Sequence, residues 1–239
     1  MRIAKLALTL ALLAAGLLGI SGPGVRVGLW PFSTGFQILR WSAYLGLAAA
    51  GIGLIGLLIP KARAGAPAGL VVAIGLGLAA AYLPWHWGQR ARALPPIHDI
   101  STDLEHPPEF AAVLPLRAGA PNPSAYGGAD VAEAQRRGYP DIQPLMLTAP
   151  PSAAFARALD AAKGMRWAVV AADSAGGRIE ATATTRWFGF KDDIVVRITP
   201  APTGSRIDVR SVSRVGRSDV GTNAARIRAY LATLKEQSL

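Results

Sequence analysis

The chain has 239 residues, with 25 lysines and arginines, 15 aspartates and glutamates, and no cysteine. The charge is uneven, because residues 1–96 contain eight basic and no acidic side chains, whereas residues 97–239 contain 17 basic and 15 acidic ones. A nucleic-acid-binding domain concentrates its cations on its folded part. The nearly neutral second part therefore excludes nucleic acid as the partner, and apolar runs in the first part exclude a purely soluble protein.

Three apolar runs predict transmembrane helices at about 5–21, 41–59 and 68–87. An α-helix needs roughly 20 residues to cross about 30 Å of hydrocarbon, and each run approaches that length. Tryptophans at the ends of the runs match the preference of indole for the headgroup zone, and glycines within the second and third runs allow helices to approach closely. Residues 1–96 are therefore predicted to form a membrane anchor in contact with membrane lipids.

The first run also fits a cleaved signal peptide, but no small-x-small site precedes Pro23, which favours retention. Orientation is not decided by the count of basic residues, because three spans place four of them on each side of the membrane. The first helix usually dominates, and its Arg2 and Lys5 place the N-terminus in the cytoplasm. Three crossings then place the C-terminal part outside the cytoplasm.

Residues 97–239 are predicted to form a soluble α+β domain. The segment 97–151 is punctuated by proline and glycine, which predicts an irregular wrap with one short helix at 129–137. Within 152–236 the order is α-β-β-β-β-α, an antiparallel sheet of about four strands with both helices packed on one face. The predicted helices cover 152–164 and 219–235, and the predicted strands cover 166–172, 178–187, 193–199 and 206–214.

The strand at 178–187 alternates strictly between small or apolar and polar side chains. Ile179, Ala181 and Ala183 are predicted to face the core, whereas Arg178, Glu180 and Thr182 alternate with them. Such alternation is typical of an antiparallel strand with one face in water.

Three separated motifs resemble the family known as domain of unknown function 1499. They are the segment 97–103 followed by Pro107-Pro108-Glu109-Phe110, the segment Phe190-Lys191-Asp192-Asp193, and the segment from Arg210 to Asn223. The membrane half is similar to that of bacterial members with a multi-span anchor, which implies a bacterial inner (plasma) membrane with a periplasmic or extracytoplasmic domain. Other members carry a cysteine in an Asn-Cys-Val segment, where this chain has Pro121-Asn122-Pro123-Ser124-Ala125-Tyr126 and no cysteine, and the family implies no established activity.

The most specific candidate site is a cluster of four residues of types that bind metals: His98, Asp99, Asp103 and His106. Imidazole and carboxylate ligands suit zinc, iron or manganese. The alternative is structural, since Asp99, Ser101 and Asp103 are residue types that form side-chain turns in loops. The spacing does not choose between the two.

A second candidate is the ionic residues of the other two motifs. Asp192 and Asp193 are adjacent, so on a strand they point to opposite faces and an ion pair of one with Arg210 or Arg214 is expected. The connection from the last strand to the last helix contains glycines and Arg217, which is typical of an anion site at a helix N-terminus. Asp219, however, is at a position where it can cap that helix instead. The candidate ligand or ionic network comprises Asp192, Asp193, Arg210, Arg214, Arg217, Asp219 and Asn223.

No nucleophile motif is present, because the chain lacks Gly-x-Ser-x-Gly, cysteine, and any histidine beyond His106. The sequence therefore predicts a membrane-anchored cell-envelope protein that binds an anionic ligand, a lipid headgroup or a protein partner, and no cofactor is expected. A metal-dependent enzyme using the histidine–aspartate cluster is the alternative.

Overall fold

The computed structural model describes residues 2–236, which divide into two compact units. The first unit runs to Arg92 and includes Arg186–Gly189. The second runs from Ala93 to Thr185 and from Phe190 onward.

The first unit is helical. Its elements are α1 (Arg2–Arg26), α2 (Phe32–Leu58), the short α3 (Pro60–Gly65) and α4 (Pro67–Ala93). The three long helices have 25, 27 and 27 residues and mean hydropathies of 2.2, 1.7 and 1.8 in their most apolar windows, so each is long and apolar enough to cross a membrane. The predicted three helices are confirmed, and each begins before its predicted start.

Small side chains form the contacts between these helices. The buried positions of α1 are all alanine, serine or glycine, and four of them are alanines at helical spacing, beginning with Ala4, Ala7 and Ala11. On α2 and α4, Gly46 and Gly77 face each other so closely that a Cβ on either would collide with the backbone carbonyl of the other. Large apolar side chains are instead exposed on the outside of the unit. Such packing suits a lipid environment, where association depends on close backbone approach.

The second unit is an α+β domain built on a six-stranded antiparallel sheet. Its strands are ordered β1-β6-β5-β4-β3, and β2 also pairs with β6. The elements are β1 (Asp99–Ser101), α5 (Gly128–Gly138), β2 (Leu145–Leu147), α6 (Pro151–Gly164), β3 (Ala168–Asp173), β4 (Arg178–Thr184), β5 (Lys191–Ala201), β6 (Gly204–Ser213) and α7 (Thr222–Glu236). The predicted class is confirmed, with β1 and β2 added to the four expected strands.

One face of the sheet carries the main hydrophobic core. Ile179, Ile194 and Val209 come from β4, β5 and β6 and are nearly inaccessible to solvent. Helices α6 and α7 contact this face, and Trp167 stacks on Tyr230 of α7 with ring centroids 4.8 Å apart. The Tyr230 hydroxyl donates a hydrogen bond of 2.8 Å to the carbonyl of Ala158 on α6, which ties the two helices together.

The opposite face is also buried, contrary to the prediction of a water-facing side. Glu180 and Thr182 are 0% and 9% exposed. The irregular residues 102–127, called here the cover segment, lie over this face, and Phe110 and Val113 cluster with Val195 and Val212 of the sheet. The alternating pattern therefore predicts the strand correctly, but its polar residues face the cover segment instead of water.

Candidate functional site

Arg210 lies at the centre of the covered face and is only 1% exposed. Its guanidinium forms a bidentate pair with Asp99 on β1, with Nε–Oδ1 at 3.0 Å and Nη2–Oδ2 at 2.7 Å. It also donates to the carbonyls of Pro108 (3.2 Å) and Ser124 (2.8 Å) in the cover segment. Two strands and two stretches of the cover segment are thus joined through one side chain.

Aromatic rings complete the surroundings of this guanidinium. Its carbon lies 5.2 Å from the ring centroid of Phe110 and 5.3 Å from that of Tyr126. Cation–π contacts of this kind gain strength when they are removed from water. Burial, and next the nearby Asp99 carboxylate, raise the pKa of Tyr126 to about 12, so its hydroxyl stays protonated at neutral pH.

Asp193 on β5 is the second charged centre, and its side chain is fully buried. Both of its oxygens accept from Arg214 at 2.8 Å, Oδ1 also accepts from Thr182 at 2.6 Å, and Oδ2 accepts from Arg117 of the cover segment at 2.6 Å. Burial alone raises the pKa of Asp193, but the hydrogen bonds from Arg214, Thr182 and Arg117 outweigh it and hold the pKa below its usual range. This carboxylate is therefore ionised at neutral pH and is not a proton donor.

Glu180 on β4 holds the cover segment in a different way. Its carboxylate accepts hydrogen bonds of 3.0–3.1 Å from the backbone N–H groups of Ala111 and Val113. Its Oε1 also lies 3.3 Å from Nε of Arg178. A buried carboxylate bonded in this manner fixes the backbone of the cover segment against the sheet.

Asp103 and Asp208 form the last group, together with Arg197 and Arg206. Each arginine donates to both carboxylates, at 2.9–3.2 Å. Oδ1 of Asp103 accepts from the backbone N–H groups of Glu105 and His106, at 3.1 and 2.9 Å. Burial favours a higher pKa for Asp103, but these backbone hydrogen bonds and the two arginines lower it overall.

The residues of the predicted ionic network are distributed over both faces of the sheet. Asp193, Arg210 and Arg214 lie under the cover segment, whereas Asp192 lies on the helix face. There its Oδ2 accepts a 2.5 Å hydrogen bond from Nη2 of Arg226, a residue that the sequence analysis did not include. The expected pair of Asp193 with Arg214 forms, and Arg210 pairs with Asp99 instead of either aspartate.

In the connection before α7, a side chain of the connection itself occupies the start of the helix. Asp219 accepts hydrogen bonds from the backbone N–H groups of Gly221 (2.9 Å) and Asn223 (2.6 Å), so a carboxylate already occupies the start of this helix. Burial raises the pKa of Asp219 despite these two bonds. Asn223 is buried and bonds Ser211 and Ser213 of β6, and Arg217 is exposed.

The histidine–aspartate cluster is dispersed. Asp99 is paired with Arg210, Asp103 is engaged by Arg197 and Arg206, and His106 is exposed. The Nδ1 atom of His98 lies 3.4 Å from the carbonyl of Arg217. Among residues 2–236, no group of three or more histidine, aspartate or glutamate side chains is arranged to hold a metal ion.

An open cleft of about 510 Å³ lies at the edge of the cover segment. Arg178 on β4 and Arg197 on β5 are register partners in neighbouring strands, and both line this cleft. Like charges directly opposite each other in a sheet are unfavourable. The side chains of Arg178 and Arg197 are 44% and 29% exposed. Arg178 is paired with Glu180, and Arg197 is paired with both Asp103 and Asp208. The other lining residues are Glu105, His106, Pro107, Pro108, Glu109, Gly176 and Val195.

The sequence analysis does not predict this arginine pair, because it places Arg178 on a water-facing side of its strand and gives Arg197 no role beyond its strand. The pairing of the two strands in a hairpin is the feature that could have revealed it. Pairing β4 with β5 so that Ala181 faces Ile194 also places Arg178 opposite Arg197. Counting cross-strand partners would have placed the two arginines side by side.

Together these features define a protein with three helices long and apolar enough to cross a membrane and an α+β domain in which ion pairs hold the cover segment over the second face of the sheet. Residues 99–234 match the family described as "Protein of unknown function (DUF1499)", and the chain belongs to that family. The resemblance carried by the three sequence motifs is thereby confirmed. No curated protein matches the chain.

Proposed function

We propose that this chain is a membrane-anchored binding protein of the bacterial cell envelope, whose C-terminal domain holds a small ligand bearing a carboxylate or phosphate group. The observation that carries the proposal is the Arg178–Arg197 pair at the cleft. Each guanidinium is paired with carboxylates yet stays partly exposed to the cleft, so an anion in the cleft can accept hydrogen bonds from both arginines. Planar guanidinium groups also match carboxylate and phosphate oxygens in bidentate geometry.

The cleft has the size and setting expected of a ligand site. A volume of about 510 Å³ lies within the roughly 300–1,000 Å³ typical of small-molecule pockets. Its floor contains the buried Val195, and its rim contains the exposed carboxylates of Glu105 and Glu109. A ligand with an anionic group toward the arginines and a hydrogen-bond donor toward the glutamates fits both sets of charges.

The contacts of the buried Arg210 and Asp193 indicate that these residues hold the cover segment in place. Arg210 donates hydrogen bonds to Asp99 and to cover-segment carbonyls, and Asp193 is surrounded by arginine and threonine donors. Fixing the cover segment in this way preorganises one wall of the cleft, since residues 105–109 belong to that segment. Preorganisation lowers the ordering cost of binding.

The cleft is tested by replacing Arg178 with Gln in the full-length chain in detergent micelles. Inorganic phosphate and succinate are titrated separately, and binding is followed by phosphorus or carbon NMR line broadening. We expect the wild-type chain to bind at least one of the two anions and Arg178→Gln to weaken that binding at least tenfold, because one of the two opposed cations is lost.

The matched control is Arg137→Gln, which removes the same charge from an exposed pair with Glu133 on α5 and should bind as the wild type does. Equal anion binding by the Arg178→Gln and wild-type chains, or no binding of either anion by the wild type at millimolar concentration, would contradict the proposed site.

The placement of the domain outside the cytoplasm is tested with reporters fused after Leu239. Alkaline phosphatase is active only after export, so we expect phosphatase activity from this fusion and no fluorescence from a green fluorescent protein fused at the same position. A fluorescent, phosphatase-inactive pair would reverse the orientation, and recovery of the chain in the soluble fraction would remove the membrane placement itself.

A further inference from the structure

A groove of about 980 Å³ runs between α2 and α4 within the first unit. One wall is a helical stripe of α2, and the other is a helical stripe of α4. Small lining residues on both helices, Ala43 on α2 and Ala81 and Gly88 on α4, leave the space between the two stripes open. The lining also includes Arg40, Leu47, Leu78, Gln89 and Arg92.

The lining changes character along the helix axis. Because α2 and α4 run antiparallel, with Gly46 opposite Gly77, the start of α2 lies beside the end of α4. Arg40, Gln89 and Arg92 therefore lie in the half of the groove nearer those termini, together with Phe36 and Leu39, while Leu47 and Leu78 lie toward the middle of the helices. A groove with its cations in one half and mostly apolar side chains in the other has the polarity of an anionic lipid.

Aromatic side chains mark the level between the two ends. Tyr82 lies 5.8 Å from Trp85 and stacks on His86 at 5.7 Å, measured between ring centroids. On α2, Trp41 contacts Tyr44 edge-on at 5.8 Å. Tyrosine and tryptophan concentrate at headgroup level in membranes. The arginine end of the groove is therefore expected at the depth of lipid phosphates, with the apolar end among acyl chains.

Charge completes the argument. The first unit contains no acidic side chain at all, so no carboxylate within that unit compensates Arg40 or Arg92. Basic pockets between transmembrane helices bind anionic lipid headgroups for this reason. We propose that the α2–α4 groove holds one anionic phospholipid, with its phosphate at Arg40 and Arg92 and an acyl chain over Ala43 and Ala81. This inference rests on the membrane placement proposed above, but it concerns a different site from the cleft.

The test is native mass spectrometry of the full-length chain purified in detergent, with phosphatidylglycerol or phosphatidylcholine of identical acyl chains added. We expect one retained phosphatidylglycerol per chain and little phosphatidylcholine. The double variant Arg40→Gln/Arg92→Gln should lower phosphatidylglycerol occupancy at least tenfold. The matched double variant Arg2→Gln/Arg63→Gln, which removes two exposed charges outside the groove, should keep it.

A second pair of variants tests the groove itself rather than its charge. A Cβ at Gly88 or at Gly75 would meet no atom within 4 Å, and both glycines lie on α4. Gly88→Leu fills the groove and should displace the lipid, whereas Gly75→Leu lies outside the groove and should leave it bound.

Three outcomes would overturn the inference: equal retention of the two lipids, phosphatidylglycerol retained by the Arg40→Gln/Arg92→Gln variant, or a dimer mass that is lost in Gly88→Leu, which would assign the groove to a second copy of the chain. Each is distinct from failure of the membrane placement, which appears earlier as a chain found in the soluble fraction.

Discussion

Replacing Arg210 with Met is expected to lower the free energy of unfolding of the α+β domain by about 3–5 kcal/mol, because removing one partner leaves the other charge buried without compensation. The stranded group is Asp99, whose side chain is 6% exposed. The carbonyls of Pro108 and Ser124 lose their donor in the same substitution. Hydrogen exchange measured by mass spectrometry on the full-length chain should show faster exchange in β1, β6 and the cover segment.

Arg228→Met is the matched control for this experiment. Arg228 also forms a bidentate pair, with Asp141 at 2.6 Å for both contacts, and also lies over an aromatic ring, Tyr139, at 5.6 Å. Its pair is exposed, so its loss should cost about 1 kcal/mol or less. If the two variants were destabilised equally, burial would not be the cause. Adding Asp99→Asn to Arg210→Met should recover part of the loss, since it removes the unpaired charge.

The second large effect is expected for Asp193→Asn, which keeps the shape of the side chain and removes its charge. Arg117 is 6% exposed and would be left without its counter-charge, so we expect a loss of about 3–5 kcal/mol. Urea unfolding of the full-length chain in detergent, followed by near-ultraviolet circular dichroism, measures this loss. The exposed Asp141→Asn provides the control, with an expected loss of about 1 kcal/mol or less.

The same variant predicts a change in acid sensitivity. The folded-state pKa of Asp193 lies below its unfolded value, so the unfolded state binds the proton more readily. The contribution of Asp193 is therefore complete above the unfolded pKa of about 4 and is lost as the pH falls through the folded pKa. The stability of Asp193→Asn should fall less steeply below about pH 4 than that of the wild type. Parallel curves would contradict the role assigned to this carboxylate.

Hydrophobic periodicity was sufficient to predict most elements of this fold. The three apolar runs, the alternation in β4 and β5 and the apolar stripe of α7 all reflect burial against a continuous apolar surface, which leaves a regular pattern in the sequence. β1 and β2 leave no such pattern because each has only three residues. Their position is set by pairing with β6, a long-range contact that local sequence does not encode.

The covered face could not be predicted for a related reason. Alternating charged and polar residues are typical of a strand exposed to water, and Glu180 follows that pattern although it is fully buried. Its burial depends on Ala111 and Val113, nearly seventy positions earlier in the chain. In the same way, the sequence identified Asp99 and Arg210 as notable residues, but it placed them in different candidate sites, since nothing local indicates that they form a pair.

The pairing of β1 and β2 with β6 also has a consequence for how the domain is made. β6 ends at Ser213, so both early strands leave the ribosome well before their partner does. At a synthesis rate of about 5–20 residues per second, β1 waits roughly 5–20 s for β6 to be translated. During this interval Asp99 and the cover segment have no sheet to bind. The domain therefore closes only after β6 has been synthesised, which is also after α1, α2 and α4.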